Sequence, residues 1–277
     1  MKKFKVGLQL YSVRDALAED FEGTLQAVKD MGYDYVEFAG FFDKSAEEVK
    51  EILDRIGLTP ISVHQGDQLF VEKGQEAIDY LKTIGFKYCA IPWFPAQNLK
   101  GGETWEDTKK RFKAYSDALK EAGIKLLYHN HDFEFVKVDG KYKIDYIYDE
   151  LGLDVIAPEF DTCWVHYSGE NPCKYIEKYS GNVEVLHLKD FVCEKLGGGP
   201  VYDLIDKNGE AQKPKDKESV GFKFTPVGYG LQNFPAILEA AEKAGTEYII
   251  VEQDRSEDRP PLEAVKMSRE YLKSIGQ

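Results

Sequence analysis

The segment YDYVEFAGFFDKSAEEVKEILDRIGLTPISVH, residues 33–64, contains one complete unit of the pattern on which the fold prediction depends. Residues 33–38 are rich in aromatic and β-branched side chains, which predicts a strand. Residues 46–56 carry apolar side chains at helical spacing and precede Gly57, a common residue just beyond a helix C-terminus. Residues 59–64 predict the next strand. A strand, a helix and a strand in this order are typical of a parallel α/β sheet.

The same cycle recurs along the chain. The predicted strands are residues 4–10, 33–38, 59–64, 88–93, 125–130, 155–161, 183–189 and 248–253. Helical periodicity is found at residues 21–31, 46–56, 75–84, 105–122, 173–179, 234–244 and 262–275. Eight strands alternating with helices predict an α/β fold, a (β/α)₈ TIM barrel that forms a single domain over residues 1–277. A doubly wound open sheet is the alternative, but the first strand ends in Gln9-Leu10-Tyr11-Ser12, without a glycine-rich phosphate-binding turn.

Composition and charge narrow the possible partners. Hydrophobic residues make up 43% of the 277-residue chain, enough for a large core, which excludes a disordered protein. Lys and Arg total 36 against 49 Asp and Glu, and the net charge of −13 argues against nucleic acid or an anionic membrane as partner. No apolar run approaches the roughly 18 residues of a membrane span, so we expect a cytoplasmic protein. The four cysteines form no C-x-x-C pair, which argues against a disulfide framework or a thiolate zinc site.

The connection after the seventh predicted strand, residues 193–226, is much longer than the others. Long loops are uncommon and often functional. Residues 201–205, followed by Asn208-Gly209, predict a small hairpin within it. Two interpretations stay open: the loop covers the mouth of the barrel, or it is a surface insertion that contacts a partner subunit, for example in a homo-oligomer.

Polar side chains recur at the carboxyl ends of four consecutive predicted strands. In a TIM barrel these ends face the catalytic mouth, and residues two apart on a strand point the same way. A single histidine or carboxylate at a strand end is usually only a hydrogen-bonded residue, but four converging pairs favour a metal site, because buried carboxylates need a neutralising cation. Mixed nitrogen and oxygen ligands suit Mn²⁺, Zn²⁺, Co²⁺ or Fe²⁺ better than Ca²⁺. The pairs are His129/His131, Glu159/Asp161, His187/Lys189 and Glu252/Asp254.

Other side chains are candidates for substrate contact. His64 ends the third predicted strand and Glu37 ends the second, and each is either a substrate contact or a hydrogen-bond partner of the metal ligands. Aromatic residues near the mouth either face a sugar ring or belong to the core. The substrate-contact candidates are Gln9, Glu37, His64, Trp93, Glu159 and Trp164, whereas His166 is interpreted as an ordinary loop residue.

These motifs together resemble the sugar phosphate isomerase/epimerase family of xylose isomerase-like TIM barrels over nearly the whole chain. The resemblance implies one divalent metal ion, Mn²⁺ before Zn²⁺, Co²⁺, Fe²⁺ or Mg²⁺, bound at the ends of strands five to eight, commonly by Glu, Asp, His and Glu. Carried over by position, the ligands are His129, Asp161, His187 and Glu252, and His129 departs from the family's glutamate. The motifs are GLQLYS (7–12), GYDYVE (32–37), YHNHDFEF (128–135), FDT (160–162), HLKD (187–190), PVGYG (226–230) and VE (251–252).

The resemblance also implies a reaction. A sugar isomerase or epimerase would act on a ketose or sugar derivative through an enediolate, with Glu252 or His131 as the base and Lys189 beside the oxyanion. A histidine at position 129 does not fit a mechanism in which two glutamates on opposite sides of the substrate exchange its proton symmetrically. The alternatives are a lyase or dehydratase, for example one that cleaves 3-oxo-glycosides, and a metal-stabilised sugar-binding barrel without catalysis. Five histidines and the acidic charge argue against a trinuclear zinc endonuclease.

Overall fold

The computed structural model describes residues 2–197 and 221–277. The hairpin predicted at residues 201–209 and most of the long connection lie outside the described residues. Eight parallel strands form a closed barrel in which each strand pairs with its neighbours along the chain and the last pairs with the first. The predicted TIM barrel is therefore confirmed. The strands are β1 (Lys5–Gln9), β2 (Tyr35–Phe38), β3 (Thr59–His64), β4 (Tyr88–Ile91), β5 (Lys125–His129), β6 (Ala157–Asp161), β7 (Val185–Leu188) and β8 (Tyr248–Val251).

Helices surround the barrel, and several short ones were not predicted. Within the described residues the helices are α1 (Arg14–Glu19), α2 (Phe21–Asp30), α3 (Ala46–Ile56), α4 (Asp67–Lys73), α5 (Gln75–Ile84), α6 (Trp105–Glu121), α7 (Lys143–Leu151), α8 (Thr162–Tyr167), α9 (Pro172–Lys178), α10 (Phe234–Ala244) and α11 (Pro261–Ser274). The unpredicted helices are α1, α4, α7 and α8; three of them have only six or seven residues, too few for helical periodicity to be visible. No helix in the described part of the chain has both the length and the apolar character needed to cross a membrane.

The unit at residues 33–64 shows why the cycle forms. Ser45 and Glu48 make a reciprocal capping box that satisfies free N–H groups at the start of α3. Val49 and Leu53 face the core one turn apart. Gly57 ends the helix with φ at +78°, a conformation that side chains rarely adopt. The chain then turns directly into β3, which pairs with β2 in parallel.

The amino-terminal half of the barrel interior is packed with apolar side chains. A Cβ at position 7 would lie 2.6 Å from Ile250 Cδ1, so Gly7 allows β1 to fit against this packing. This half contains few polar atoms and closes the barrel at one end, so a ligand can reach the interior only from the carboxyl ends of the strands. We call these residues the apolar plug: Ile61, Tyr88, Ala90, Leu127, Ala157, Val185, Tyr248 and Ile250.

A buried aspartate anchors the chain that follows the long connection. Strand segments Asp190–Val192 and Lys223–Thr225 pair in antiparallel fashion just beyond β7. The Asp190 carboxylate accepts N–H bonds from Gly228 and Gly230, at 3.0 and 2.8 Å, and from Gln232. A Cβ at position 230 would lie 2.4 Å from Asp190 Oδ1. The second glycine of the PVGYG motif is therefore needed for this close approach.

Candidate metal and substrate site

Four side chains predicted as metal ligands meet at the carboxyl ends of β5 to β8. One ligand atom from each lies within 4.8 Å of all the others. All four are buried, with at most 4% of the residue surface exposed. Helix α8 begins where it does because Asp161 Oδ1 accepts the N–H of Cys163 at 2.8 Å, which leaves Oδ2 to face the cluster. We call His129, Asp161, His187 and Glu252 the outer cluster.

The spacing of the donor atoms suits a single cation. His129 Nε2 lies 3.7 Å from Asp161 Oδ2 and 3.9 Å from Glu252 Oε2, distances too long for hydrogen bonds. His187 Nδ1 lies 2.9 Å from the same Glu252 oxygen. Two ligands bound at about 2.1 Å from one ion are separated by at most about 4.2 Å. The donor chemistry of the outer cluster therefore suits one divalent transition metal, and these three separations are compatible with a single ion.

Lys189 lies beside the outer cluster and is almost fully buried. Its Nζ is 2.8 Å from Asp161 Oδ2, 3.1 Å from Glu252 Oε2 and 2.9 Å from Asp254 Oδ1. The ammonium also lies 5.5 Å from the centre of the Trp164 ring. Three carboxylates surround one lysine, and a divalent cation would balance the excess of buried negative charge.

A second group, from β2, β3 and β6, lies beside the outer cluster. His64 Nε2 is 2.8 Å from Glu159 Oε1 and 3.1 Å from Glu37 Oε1. Burial lowers the pKa of His64, but these two carboxylates outweigh it and raise the pKa to about 10. Gln9 donates to the same Glu37 oxygen at 2.7 Å. We call Glu37, His64 and Glu159 the floor triad.

Local charge sets the protonation of the histidines. Burial, followed by the neighbouring positive groups, lowers the pKa of His129 and His131 well below the ordinary value, so both rings are neutral near pH 7. A neutral imidazole is the form that binds metals. Burial also opposes ionisation of Glu252, but Lys189 and His187 hold the pKa of that carboxyl below its ordinary range.

Glu134 supports the loop that carries His131, and sequence reasoning missed this role. Its carboxyl accepts the N–H of His131 at 2.8 Å and the hydroxyl of Tyr128 at 2.8 Å. Burial raises the pKa of Glu134 to about 8. The only sequence signal was its position three residues after His131.

A cavity of about 280 Å³ opens above the outer cluster. Direct contact with a molecule in this cavity is available to His64 and Trp93 among the residues predicted to bind substrate. The other four, Gln9, Glu37, Glu159 and Trp164, are fully buried behind the cavity wall, so the structure does not place them in its lining. His166 lies outside the cavity, with its Nδ1 2.9 Å from Gln232 Oε1. The lining consists of Tyr11, Ala39, His64, Pro92, Trp93, His129, His131, Glu252 and Asp254.

The cavity wall carries two carboxylates, the protonated ring of His64 and neutral groups. Glu252 and Asp254 are its carboxylates, and no lysine or arginine from the described residues lines it. Arg14 lies nearby but stacks on Tyr11, with its guanidinium carbon 4.0 Å from the ring centre. It also donates to the main-chain oxygens of Tyr11 and Asp254. This arrangement disfavours an anionic ligand.

Comparison with known proteins agrees with this architecture. The sequence pattern of the xylose isomerase-like TIM barrel family matches residues 25–275. An inosose dehydratase from Clostridium perfringens is 25% identical over 234 residues, covering 78% of this chain and 73% of that protein. A sugar phosphate isomerase/epimerase from Parabacteroides distasonis superimposes with a TM-score of 0.76 at 22% identity, covering 99% of both chains. The zinc-bound IOLI protein superimposes with a TM-score of 0.69 at 15% identity, covering 98% of this chain and 97% of that one.

Proposed function

The chain belongs to the xylose isomerase-like TIM barrel family, and from that premise we propose that it is a metal-dependent enzyme that isomerises or epimerises a sugar or sugar derivative. The observation that carries the proposal is the outer cluster, in which two imidazoles and two carboxylates meet beneath a cavity of sugar size. Family membership supports catalysis over simple sugar binding.

His129, Asp161, His187 and Glu252 would hold one divalent ion, with Mn²⁺ our first choice. The zinc atom bound by the IOLI protein, which shares this fold, supports a divalent metal here. When bound, such an ion supplies Lewis-acid polarisation of a substrate carbonyl, which acidifies the neighbouring C–H.

The chain's own residues would then move the proton. Glu252 lines the cavity, is ionised and contacts both Lys189, at 3.1 Å, and His187, at 2.9 Å, so it is the first candidate for the base. His131 is neutral, lines the same cavity and is the second candidate. Lys189 keeps Glu252 ionised and in place. Return of the proton to the same carbon gives an epimer, and its return to the adjacent carbon gives an isomer.

The cavity favours an uncharged substrate of about one sugar ring. Its volume of about 280 Å³ is at the small end of ligand pockets. Two carboxylates and two aromatic rings, Tyr11 and Trp93, suit hydroxyl groups and the apolar face of a ring. A phosphate group would meet two carboxylates, with His64 the one cationic side chain among the described lining residues to balance it.

Dehydration is the second candidate, and His129 is the specific observation that favours it. With histidine in place of the family's usual glutamate, Glu252 is the one carboxylate on the outer cluster that both lines the cavity and can accept a proton from carbon. Elimination of water needs one base and one acid rather than two equivalent carboxylates, and protonated His64, which lines the same cavity, could supply the acid. The similarity to an inosose dehydratase supports the same reaction class and suggests keto-polyols as substrates.

Deuterium exchange tests the shared first step. The protein is loaded with Mn²⁺ or Zn²⁺ and incubated in D₂O with a panel of ketoses, 3-oxo-glycosides and keto-inositols. We expect deuterium at the carbon next to the carbonyl, and we expect Glu252→Gln to slow exchange by about 10²–10⁴-fold. Glu257→Gln makes the same chemical change at an exposed position in the following loop and should leave the rate unchanged.

The products separate the candidates. An epimer or isomer supports the first proposal, and a product that lacks one water supports the second. Exchange that survives Glu252→Gln but disappears in His131→Ala would assign the base to His131. Turnover without cleavage of the α-C–H bond, or sugar binding without any exchange, would contradict both reactions.

A further inference from the structure

We propose that Asp254 is a specificity-determining residue whose carboxylate accepts a hydrogen bond from a hydroxyl group of the substrate, away from the reacting carbonyl. The site would therefore select polyhydroxylated ketones over their deoxy analogues. The inference rests on the proposed metal-dependent function and deepens it, because it assigns part of the substrate to a side chain that is not a proposed metal ligand. It is carried by the position of Asp254 in the cavity wall and by the contacts that hold it there.

The cavity wall offers one carboxylate besides the proposed metal ligands. Ala39 and Pro92 present no polar side-chain atom to a bound molecule, and Glu252 belongs to the outer cluster. Asp254 is therefore the anionic acceptor left for a substrate hydroxyl among the described lining residues. Hydroxyl groups donate well to carboxylates, and such charge-assisted bonds are shorter and stronger than bonds between neutral groups. This acceptor suits sugars and polyols, which are rich in hydroxyl donors.

Lys189 holds the Asp254 carboxylate in a fixed position relative to the outer cluster. Its Nζ lies 2.9 Å from Asp254 Oδ1, and the same nitrogen lies 3.1 Å from Glu252 Oε2 and 2.8 Å from Asp161 Oδ2. A carboxylate accepts several hydrogen bonds at once, so the contact with Lys189 is compatible with a bond from a hydroxyl. One buried ammonium thus fixes the hydroxyl acceptor and two proposed metal ligands in a single arrangement.

The main chain around Asp254 is anchored to the turn that follows β1. Ser12 Oγ accepts the N–H of Gln253 at 3.0 Å, and Arg14 donates to the main-chain oxygen of Asp254 at 3.0 Å. Arg14 also donates to the main-chain oxygen of Tyr11 at 2.7 Å and stacks on that ring. Because Tyr11 and Asp254 both line the cavity, one arginine connects two parts of its wall. A binding group held by such contacts loses little conformational freedom when a ligand arrives.

A different role for Asp254 would be to balance the charge of Lys189 and nothing else. Asp161 shows that this role does not require a place in the cavity wall, since it contacts Lys189 but is not among the lining residues. The two roles also predict different results. Loss of charge balance would disturb Lys189 and Glu252 and slow every substrate by the same factor. Loss of a hydroxyl acceptor would slow only the substrates that carry that hydroxyl.

Deuterium exchange with deoxy analogues tests the assignment. The full chain is loaded with Zn²⁺, and every ketose, 3-oxo-glycoside and keto-inositol that exchanges is compared with its monodeoxy analogues. In the wild type we expect at least one analogue in each series to have a kcat/KM about 10–100-fold lower, the usual effect of losing a hydrogen bond to a charged group. The analogue that identifies the recognised hydroxyl is the one whose loss is coupled to Asp254.

Asp254→Asn measures this coupling. It should lower kcat/KM for the fully hydroxylated substrate by a similar factor, mainly through KM, yet have little further effect on the analogue that lacks the recognised hydroxyl, because both changes remove the same contact. Zinc stoichiometry should stay at one per chain. Asp258→Asn is the matched control and should leave all rates unchanged. Asp258 is an exposed aspartate in the same loop that also pairs with a lysine, Lys223, but it does not line the cavity.

Two kinds of result would overturn the inference. The first is an Asp254→Asn variant with unchanged rates, with an equal loss for every substrate and analogue, or with loss of the zinc itself. The second does not depend on whether the variant folds: it is a crystal structure of the zinc-loaded wild type with an exchanging ketone bound and no hydroxyl within about 3 Å of the Asp254 carboxylate. A wild type that exchanges no compound of the panel would refute the proposed function as well, whereas normal exchange without coupling between Asp254 and a hydroxyl would refute only the role of Asp254.

Discussion

The two halves of the barrel interior have opposite chemistry although the same strands build both. Toward the amino ends of the strands lies the apolar plug, whose side chains contact one another through apolar packing. Toward the carboxyl ends lie the floor triad, the outer cluster and Lys189, all nearly or fully buried. Apolar burial stabilises a fold, whereas buried charges stabilise it little or not at all. The charged half therefore identifies the functional end of the barrel.

Charged residues also occur at the amino end, and their exposure makes the difference clear. Lys5 pairs with Glu247 at the amino-terminal rim, where about 40% of each side chain is exposed to solvent. In the charged half, the side chains that contact Lys189 have at most 5% of their surface exposed. Water screens the charges of Lys5 and Glu247. The buried charges around Lys189 must instead be balanced by neighbouring charged groups inside the barrel.

The largest expected effect comes from removing a ligand of the outer cluster. We expect His187→Ala to weaken zinc binding by more than about 100-fold and to abolish turnover, because no other described imidazole lies in that position. Elemental analysis after gentle purification measures the bound metal, and circular dichroism checks the fold. His166→Ala, outside the cavity, should keep its metal. A full metal complement in both His187→Ala and Asp161→Ala would refute the assignment.

The next effect concerns the apolar plug. Leu127→Ala should lower the free energy of unfolding by about 2–5 kcal/mol, because it leaves a void among fully buried side chains. Urea denaturation measures this change, and Leu127→Met, which nearly conserves volume, should lower it by less than about 1.5 kcal/mol. Zinc stoichiometry should stay at one per chain in both variants. A loss of metal in Leu127→Ala with little change in stability would mean that the two halves are not separate in function.

A pH-dependent effect is expected at Glu134. Its pKa is raised to about 8 in the folded protein, so the folded state retains a proton that the unfolded chain releases above about pH 4.5. The stability associated with this carboxyl is present at low pH and is lost as the pH rises toward 8. Glu134→Gln should therefore gain about 2 kcal/mol relative to the wild type between pH 6 and pH 8.

Urea denaturation at the two pH values measures this difference for the wild type and for Glu134→Gln. Glu257→Gln, at an exposed carboxyl, should show no such change. A constant difference between Glu134→Gln and the wild type across the range would show that Glu134 is ionised in the folded state.

The smallest effect is expected at the amino-terminal rim. Glu247→Gln removes the partner of Lys5 and should change the free energy of unfolding by less than about 1 kcal/mol, because the pair is largely exposed. Added salt should reduce the difference further. Thermal melts at low and high ionic strength measure it. An effect as large as that of Leu127→Ala would contradict the distinction between exposed and buried charges.

The strand ends that carry the site were predictable because strand periodicity is local. Alternation places His129 and Asp161 on inward-facing positions of their strands and Glu252 directly after β8, and the barrel topology places those strand ends together. The same reasoning predicted His64 near the mouth. The short helix α8 was not predicted, because it depends on a single cap made by Asp161.

The amino-acid sequence by itself determined the barrel, its polar end and the residue types available there, because these follow from spacing along the chain. Only the tertiary structure decided which side chains meet across the barrel. Glu37 on β2 contacts His187 on β7, and Glu159 on β6 contacts His64 on β3, although neither pair lies on neighbouring strands. Such contacts depend on the stagger and tilt of all eight strands, which set how deep each side chain lies. The role of Asp190 was likewise not predictable from the sequence. Its three N–H partners at residues 228–232 come close only after the chain has folded back across the end of β7.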